Sequence, residues 1–498
     1  MTSEREAKLS VPEGFALPPL QGLPGRIEAR PDPVWQTFGT SYLDTPDLRL
    51  AGWGCSLRFR EGQGWTVKLP PARDGVLLVR DEHRFDGPAG RPPAAAADLV
   101  RAFVRTAPLA PVVRLRTERT RIGLVDPGGR DVGEVVDDDV AVLEGRREAV
   151  RFREVEVEIG EGAPRDLLPA VLAVLGRAGA RPVDPPVTKY ERAMGNRVAG
   201  LSPEIGETKA GADPSVEALV GSAFRASVTR MIVHDPEVRL AEDPEGVHQA
   251  RVATRRLRSD LRTFGPVLDA AWAGRLRDEL ARYADVLGTA RDADVLMDLL
   301  ASGAASLQER DEPVAARLID RLRRQRAGYQ DALLVGMRSR RYLAMLDDLV
   351  VAAHTPAVLP EVASRPARSL GELMERPWKH LERAVSAAGT FPADADLHEI
   401  RIRSKRARYA AEALIPAFGK PARRFGDAAA ELQAVLGRHQ DAVIASAWLR
   451  DESGRAAAST AFVAGELAGL QQALARDIRD EWRDAWERLD RRKLRFWA

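Results

Sequence analysis

VHQARVATRRLRSDL, from Val247 to Leu261, and LHEIRIRSKRARYAAEAL, from Leu397 to Leu414, are two copies of one pattern. Each is followed at nearly equal spacing by a second match, LGTARDADVL from Leu287 and LGRHQDAVIA from Leu436. Two matched blocks in the same order point to an internal duplication, and so to two similar helical bundles related by a pseudo-two-fold. On a helix, with 100° per residue, His248, Arg251, Arg255, Arg258 and Arg262 fall within a sector of roughly 80°. Ala253, Leu257, Leu261 and Phe264 lie on the other side, where they can pack. The second block repeats the stripe with His398, Arg401, Lys405 and Arg408, backed by Ala407, Ala411 and Leu414. The equivalent of Arg262 is Glu412, so the copies differ there.

Like charges three and four residues apart repel, each pair costing about 0.2–0.5 kcal/mol on an isolated helix. A solvated or ion-paired face would interleave Glu, and these stripes hardly do. A linear array of guanidinium and ammonium groups suits a linear polyanion, and Arg grips phosphate oxygens bidentately. The two histidines either hydrogen-bond the anion or orient an arginine. Nucleic acid would call for aromatic residues among the basic ones for base stacking, and only Tyr409 is near either stripe. Neither a helix-turn-helix nor a zinc finger is recognisable, so a specific nucleic-acid partner is not expected and a bare phosphate polymer ranks first.

Outward from the stripes, apolar residues keep three- and four-residue spacing from about residue 215 to the end, with Asp213-Pro214 and Asp243-Pro244 as helix starts. Pro266, Pro360, Pro377 and Pro416 mark further boundaries. Before residue 200 the texture changes. Short β-prone runs recur at 4–11, 35–43, 55–60, 65–69, 76–85, 112–124, 131–137, 140–144 and 150–159, with helix-like pieces at 94–105 and 165–178. The expected fold is therefore multidomain: an all-β antiparallel N-terminal barrel or sandwich with a few helices, then all-α duplicated bundles. A Gly-, Pro-, Ser- and Ala-rich run, 195–214, separates them. The boundaries expected are 1–196, a linker at 197–214, and 215–498 with repeat halves of about 215–355 and 366–498.

The chain of 498 residues carries 75 Lys and Arg against 73 Asp and Glu, a formal charge of +2, so the placement of basic residues matters more than their number. The one cysteine, Cys55, excludes an intramolecular disulfide and a Cys-based zinc site, and reads as packing. No signal peptide or membrane-spanning run is recognisable, which makes a cytoplasmic location, with association to polyphosphate granules, the expectation. There is no P-loop and no Gly-x-Gly-x-x-Gly. His83, His234, His354 and His380 are scattered without metal-ligand spacing. His439 either approaches the groove or pairs locally.

In the N-terminal half, charges alternate with hydrophobes along strand after strand. Glu4, Glu6 and Lys8 share a face, as do Arg58 and Arg60, Arg80 with Glu82 and Arg84, and Glu154 with Glu156 and Glu158. Lys68 stands in an otherwise apolar strand. Either these charges face water or they line a hydrophilic interior. Carboxylates gathered on some strands and basic groups on others suit a metal-bound triphosphate, with oxygens for Mg2+ or Mn2+ and cations for phosphate.

Two resemblances sharpen this. The chain from about 215 to 498 resembles the CHAD family, the conserved histidine α-helical domain, on its two His-x-x-Arg-[Val/Ile]-x-x-[Arg/Lys]-Arg-x-Arg blocks and its two Leu-Gly…Asp-Ala blocks. That resemblance implies inorganic polyphosphate as the polyanion, with His248, Arg251, Arg255, Arg258, Arg262, His398, Arg401, Lys405 and Arg408 as contacts. The chain from about 1 to 196 resembles the CYTH family, the triphosphate tunnel metalloenzymes. The carrying residues are the Glu-x-Glu-x-Lys of Glu4, Glu6 and Lys8, the run Tyr42 to Pro46, Leu57-Arg58-Phe59-Arg60, Trp65 to Lys68, Glu134 and Asp138, Glu154, Glu156 and Glu158, and Lys189. This second resemblance implies an eight-stranded antiparallel tunnel, catalysis through Glu4, Glu6 and Lys8, and metal held by Glu4, Glu6, Glu154, Glu156 and Glu158. It also implies triphosphate contacts from Lys8, Arg58, Arg60, Lys68, Arg84 and Lys189, with Arg116 and Arg119 competing for one more.

The function these readings imply is metal-dependent hydrolysis of inorganic triphosphate, and of other triphosphates by extension, with polyphosphate held by the helical half. The alternative is a non-catalytic polyphosphate-binding, targeting or sensor protein. Adenylate cyclase and thiamine triphosphatase rank lower. Oligomeric state is not legible.

Overall fold

The computed structural model describes residues 5–70, 82–160, 162–183, 187–206, 211 and 213–497. Its contacts divide the chain into two compact units that meet at Glu204 and Ile205, inside the stretch expected as linker. Glu4, Arg80 and the first part of the strand expected at 76–85 lie outside the described residues.

The first unit is one antiparallel sheet of ten strands: β1 (Arg5–Ser10), β2 (Glu28–Ala29), β3 (Val34–Asp44), β4 (Ser56–Arg60), β5 (Gly64–Lys68), β6 (Glu82–Phe85), β7 (Ala110–Val125), β8 (Asp131–Glu144), β9 (Arg147–Ile159) and β10 (Arg181–Pro182). The ladder runs β10-β1-β9-β8-β7-β3-β4-β5-β6, with β2 beside β7, and among the described residues it does not close on itself. Register fixes the faces, because a strand turns alternate side chains to opposite sides. Leu9, Leu124, Val135, Val155, Val157 and Ile159 form one side and pack on Leu167, Val171 and Leu175 of the Leu167–Arg177 helix. The other side of the same strands carries Glu6, Lys8, Asp138, Glu154, Glu156 and Glu158.

One expectation changes here. The runs 131–137 and 140–144 are one strand, β8, which continues through Asp137, Asp138 and Asp139. Three consecutive aspartates are poor strand formers, but each meets an arginine from a neighbouring strand. Arg153 binds Asp137, Arg119 binds Asp138 and Arg151 binds Asp139, each with paired hydrogen bonds.

The second unit is helical. Its longer helices are Val216–Val233, Pro244–Thr263, Ala270–Ala304, Glu312–Arg338, Arg340–His354, Glu375–Ala387, Asp394–Ala413, Lys420–Ser453 and Ala458–Leu489. Asp243 caps Pro244–Thr263 by accepting from the Glu245 amide, with Pro244 in the first turn. At the first helix the cap is Ser215, which accepts from the Ala218 amide, and not Asp213. A shared core of Leu296, Leu300, Leu318, Leu322, Leu449, Val463 and Leu467 joins the later helices of both copies. Among the described residues no helix is long and apolar enough to cross a membrane.

Candidate functional site

The charged face of the sheet is built by register. Lys8 stands opposite Glu156, and Glu6 opposite Glu158, on β1 and β9. Asp138 on β8 stands between Glu154 of β9 and Arg119 of β7. Arg58 and Arg60 on β4 pair with Tyr42 and Thr40 of β3, and Arg58 with Thr66 of β5. Lys68 stands opposite Glu82. The Arg58 guanidinium feels Glu156 although β8, β7 and β3 lie between their strands in the ladder, so the sheet is curled and this face is concave.

At one end of the face, carboxylates and lysines interlock. Lys189 Nζ, buried at the start of the Lys189–Met194 helix, lies 2.7 Å from Glu154, 2.7 Å from Glu156 and 2.9 Å from Asp138. Lys8 Nζ lies 2.5 Å from Glu156 and 3.0 Å from Glu6. Burial alone would raise the Glu156 carboxyl, but Lys189 and Lys8 hold it well below the carboxylate range. Burial would lower the Lys189 ammonium, and Glu156, Asp138 and Glu154 instead hold it above its ordinary value. Lys189 thus anchors the carboxylates. Asp138, outside the expected catalytic and metal sets, is fully buried and joins Arg119 and Lys189.

At the other end, cations dominate. Arg60 is buried, and burial followed by repulsion from Arg58 and Arg119 brings its guanidinium down to about 10. Its guanidinium sits 4.6 Å from the centre of the Phe38 ring, which Arg119 also faces at 5.4 Å. Against burial, Lys68 and Arg58 hold Glu82 at about 2, with Lys68 at 2.8 Å. Arg84 is on the same face, largely exposed, 3.3 Å from Glu82. The choice between Arg116 and Arg119 is settled by alternation: Arg119 points into the face, whereas Arg116 points to the opposite side and pairs with Glu148. Arg116 is therefore corrected from the expected triphosphate contacts. Among the described residues no group of three His, Cys, Asp or Glu side chains stands ready to hold a metal ion, the three carboxylates that do converge being taken by the Lys189 ammonium, and the half-exposed Glu6 is the acidic group of β1 described there.

Asp44 fixes the lysine end at a distance. Its carboxylate accepts from the amides of Thr45, Leu50 and Ala51 and from Tyr190 Oη at 3.1 Å. Tyr190 stacks on Tyr42 and follows Lys189, so this bond locks the helix that delivers the ammonium. Cys55 is buried, as packing requires.

In the helical unit, Pro244–Thr263 and Asp394–Ala413 lie against each other and bring parts of both stripes together. Burial and then Arg401, Arg255 and Arg251 push the Lys405 ammonium down to about 7. Burial also lowers the Arg401 guanidinium, with Arg255 and Arg251 adding repulsion that Asp441 and Asp292, the Asp of the two Leu-Gly blocks, partly offset. Arg251 reaches Asp292 at 2.7 Å. Tyr409 is buried, and Arg255, Arg256 and Arg408 face its ring at 5.5–5.7 Å, which leaves no face for a base. His398 meets Gln440 at 2.8 Å, and His248 lies beside Arg291. Arg408 is bound to Glu412 and Gln433, and Arg262 lies beside Arg258 and Arg406. His439 is buried 3.3 Å from Asp394, a local pairing.

A CHAD domain model matches residues 222–450. Two curated proteins of Mycobacterium tuberculosis, the uncharacterized proteins Rv2226 of strain H37Rv and MT2285 of strain CDC 1551, are each 32% identical over 98% of this chain and 96% of their own length. Among solved structures, PptA from Streptomyces chartreusis is 25% identical, covering 54% of this chain and 98% of its own, with a TM-score of 0.44. The CHAD domain from the plant Ricinus communis is 26% identical, covering 57% and 95%, with a TM-score of 0.47. With one curated relative matched along nearly its whole length and the helical blocks recognised by the family model, this chain is a CHAD-domain protein of the same family as the mycobacterial pair.

Proposed function

We propose that the N-terminal unit hydrolyses inorganic triphosphate with a divalent cation and that the helical unit holds inorganic polyphosphate in the groove between its two copies. The observation that carries the first part is the concave face on which Lys8, Arg58, Arg60, Lys68 and Arg119 oppose Glu6, Glu154, Glu156 and Glu158. Closure of the sheet into an eight-stranded tunnel, as in the triphosphate tunnel metalloenzymes, is part of this proposal, as is a pseudo-two-fold between the helical copies. The donors are all carboxylate oxygens, the chemistry of a hard cation such as Mg2+ or Mn2+. Such a cation, held by Glu6, Glu158, Glu154 and Glu156 with Glu4, would neutralise phosphoryl oxygens. The chain's own part is charge placement. Arg58, Arg60, Lys68 and Arg119 bind the non-bridging oxygens, and the concave wall limits water to an in-line position.

The test is phosphate release from triphosphate by the full chain with Mg2+ or Mn2+. Glu6→Gln is expected to lose about 100-fold or more, the scale of removing one electrostatic contact to developing charge. Equal, slow release by wild type and Glu6→Gln would remove the catalytic part. A specific observation supports a second reading, a non-catalytic polyphosphate binder or phosphate sensor: Lys8 and Lys189 already neutralise Glu154 and Glu156. That reading expects triphosphate binding without turnover under any divalent cation.

A further inference from the structure

The two helical copies differ where they meet, and the differences gather in one corner. Aligned on the His-x-x-Arg blocks, Arg256 corresponds to Arg406, Arg408 to Arg258, Asp260 to Ala410, and Glu412 to Arg262. Aligned on the Leu-Gly blocks, Gly426 corresponds to Arg277 and Gln433 to Ala284.

In the corner around Glu412 the charges close on themselves. Glu412 accepts from Arg408 at 2.7 Å and also from Arg256. Gln433 accepts from Arg408 at 3.3 Å. Asp260, fully buried, lies 3.7 Å from Arg256, beyond hydrogen-bond reach, and burial pushes its carboxyl up to about 7 against the pull of that guanidinium. Gly426 lies against Glu412: a Cβ there would stand 3.4 Å from Glu412 Cγ.

In the opposite corner every one of these partners is absent or reversed. Arg406 is beside Arg262 where Arg256 has a carboxylate, and Arg258 and Arg277 press on Arg262 as well. Ala410 stands where Asp260 would, and Ala284 where Gln433 would. Burial and the repulsion of Arg406, Arg277 and Arg258 bring the Arg262 guanidinium down to about 10. Glu399, which acts weakly on Arg406, is held by Arg403 at 2.6 Å. One corner thus sets two arginines against two carboxylates, and the other gathers four arginines with no carboxylate at those positions. Guanidinium groups gathered this way, with Glu399 acting only weakly on one of them, repel one another, and an anion that bridges them removes that cost.

We infer that the groove is one-sided: Arg258, Arg262, Arg277 and Arg406 take consecutive phosphate groups of the bound polymer, and the Glu412 corner is closed to them by its internal ion pairs. This rests on the reading of the helical unit as a polyphosphate site. It assigns Arg262 and Arg258 to the ligand, adds Arg277 and Arg406, and removes Arg408.

The experiment titrates the full chain with inorganic polyphosphate of defined length at several salt concentrations. Arg262→Ala and Arg406→Ala are each expected to weaken binding about tenfold and to lower the salt slope by about one. Both relieve repulsion, so neither should melt below wild type, and lost affinity is not lost fold. Glu412→Gln, which releases Arg256 and Arg408, is expected to tighten binding. Wild-type affinity in both alanine variants, or a Glu412→Gln loss as large as theirs, overturns the one-sided groove. Lys405→Glu separates the two levels. If it alone abolishes binding, the polymer binds and this inference fails by itself; if it too binds like wild type, the polyphosphate reading fails.

Discussion

Lys405 is the residue whose charge depends most on its company. Burial is the larger cause and Arg401, Arg255 and Arg251 the next, and together they bring it from 10.5 to about 7, with Asp441 opposing. Between about 7 and 10.5 the unfolded chain holds a proton that the folded chain has released, so this group makes stability rise with pH across that window. A polyanion in the groove reverses the balance and restores the proton. Of the other groups facing the site, the arginines keep their charge, Asp441 and Asp292 supply the acidic side, and burial holds His248 below its ordinary value. Polyphosphate binding at pH 8 is therefore expected to take up close to one proton per chain and to weaken as pH rises, by at most about tenfold per unit. Calorimetry in two buffers of different ionisation enthalpy reads the uptake directly. The same uptake in Lys405→Met, or none in wild type, would remove Lys405 as its source.

At the scale of elements, two short helices each make a close contact whose loss can be measured. Asp44 satisfies three backbone amides and the Tyr190 hydroxyl from the end of β3. Asp44→Ala leaves those buried donors unpaired and is expected to destabilise the first unit by about 3 kcal/mol, read as a shift of its urea transition. Thermal or urea curves identical to wild type would show that the Tyr190 bond does not hold the lysine helix. Gly246 marks a second close approach: a Cβ there would meet Glu237 Cβ at 2.6 Å and Glu237 backbone carbon at 2.8 Å. Gly246→Ala is expected to destabilise the helical unit by about 1–3 kcal/mol, seen as a lower melting temperature. These elements also show what the sequence discloses. The stripe from His248 to Arg262 is legible because helical neighbours are three and four residues apart, so the pattern and its cause are both local. The partners of Lys189 are not, since Asp138, Glu154 and Glu156 reach it only through the β8–β9 register. The same reason hid the continuity of β8, whose aspartates are made acceptable by arginines from β7 and β9. It also left Arg116 and Arg119 unresolved, because a face assignment needs the register of a neighbouring strand.

Across the whole molecule, two units with separate cores gather charged side chains in different ways. The sheet interleaves cations with carboxylates on a curled face, which favours a short, highly charged ligand held with a divalent cation. The helices present cations from two crossed copies with few carboxylates between them, which favours length over local charge density. A polymer that touches several arginines releases counter-ions at each contact, so its affinity falls steeply with salt, whereas buried, paired charges on the sheet are screened far less. The two activities should therefore separate by mutation as well as by salt. Charge reversal at Arg255 and Lys405 is expected to abolish polyphosphate binding while triphosphate turnover stays at the wild-type level, and Glu6→Gln is expected to do the reverse. Raising salt from about 50 to 200 mM should weaken polyphosphate binding by orders of magnitude, on the scale known for multiple phosphate contacts. Turnover measured in the same preparations should fall far less. If the Arg255 and Lys405 reversals lower triphosphate turnover as much as they lower polymer binding, one ligand serves both units and the division of labour argued from their chemistry is wrong.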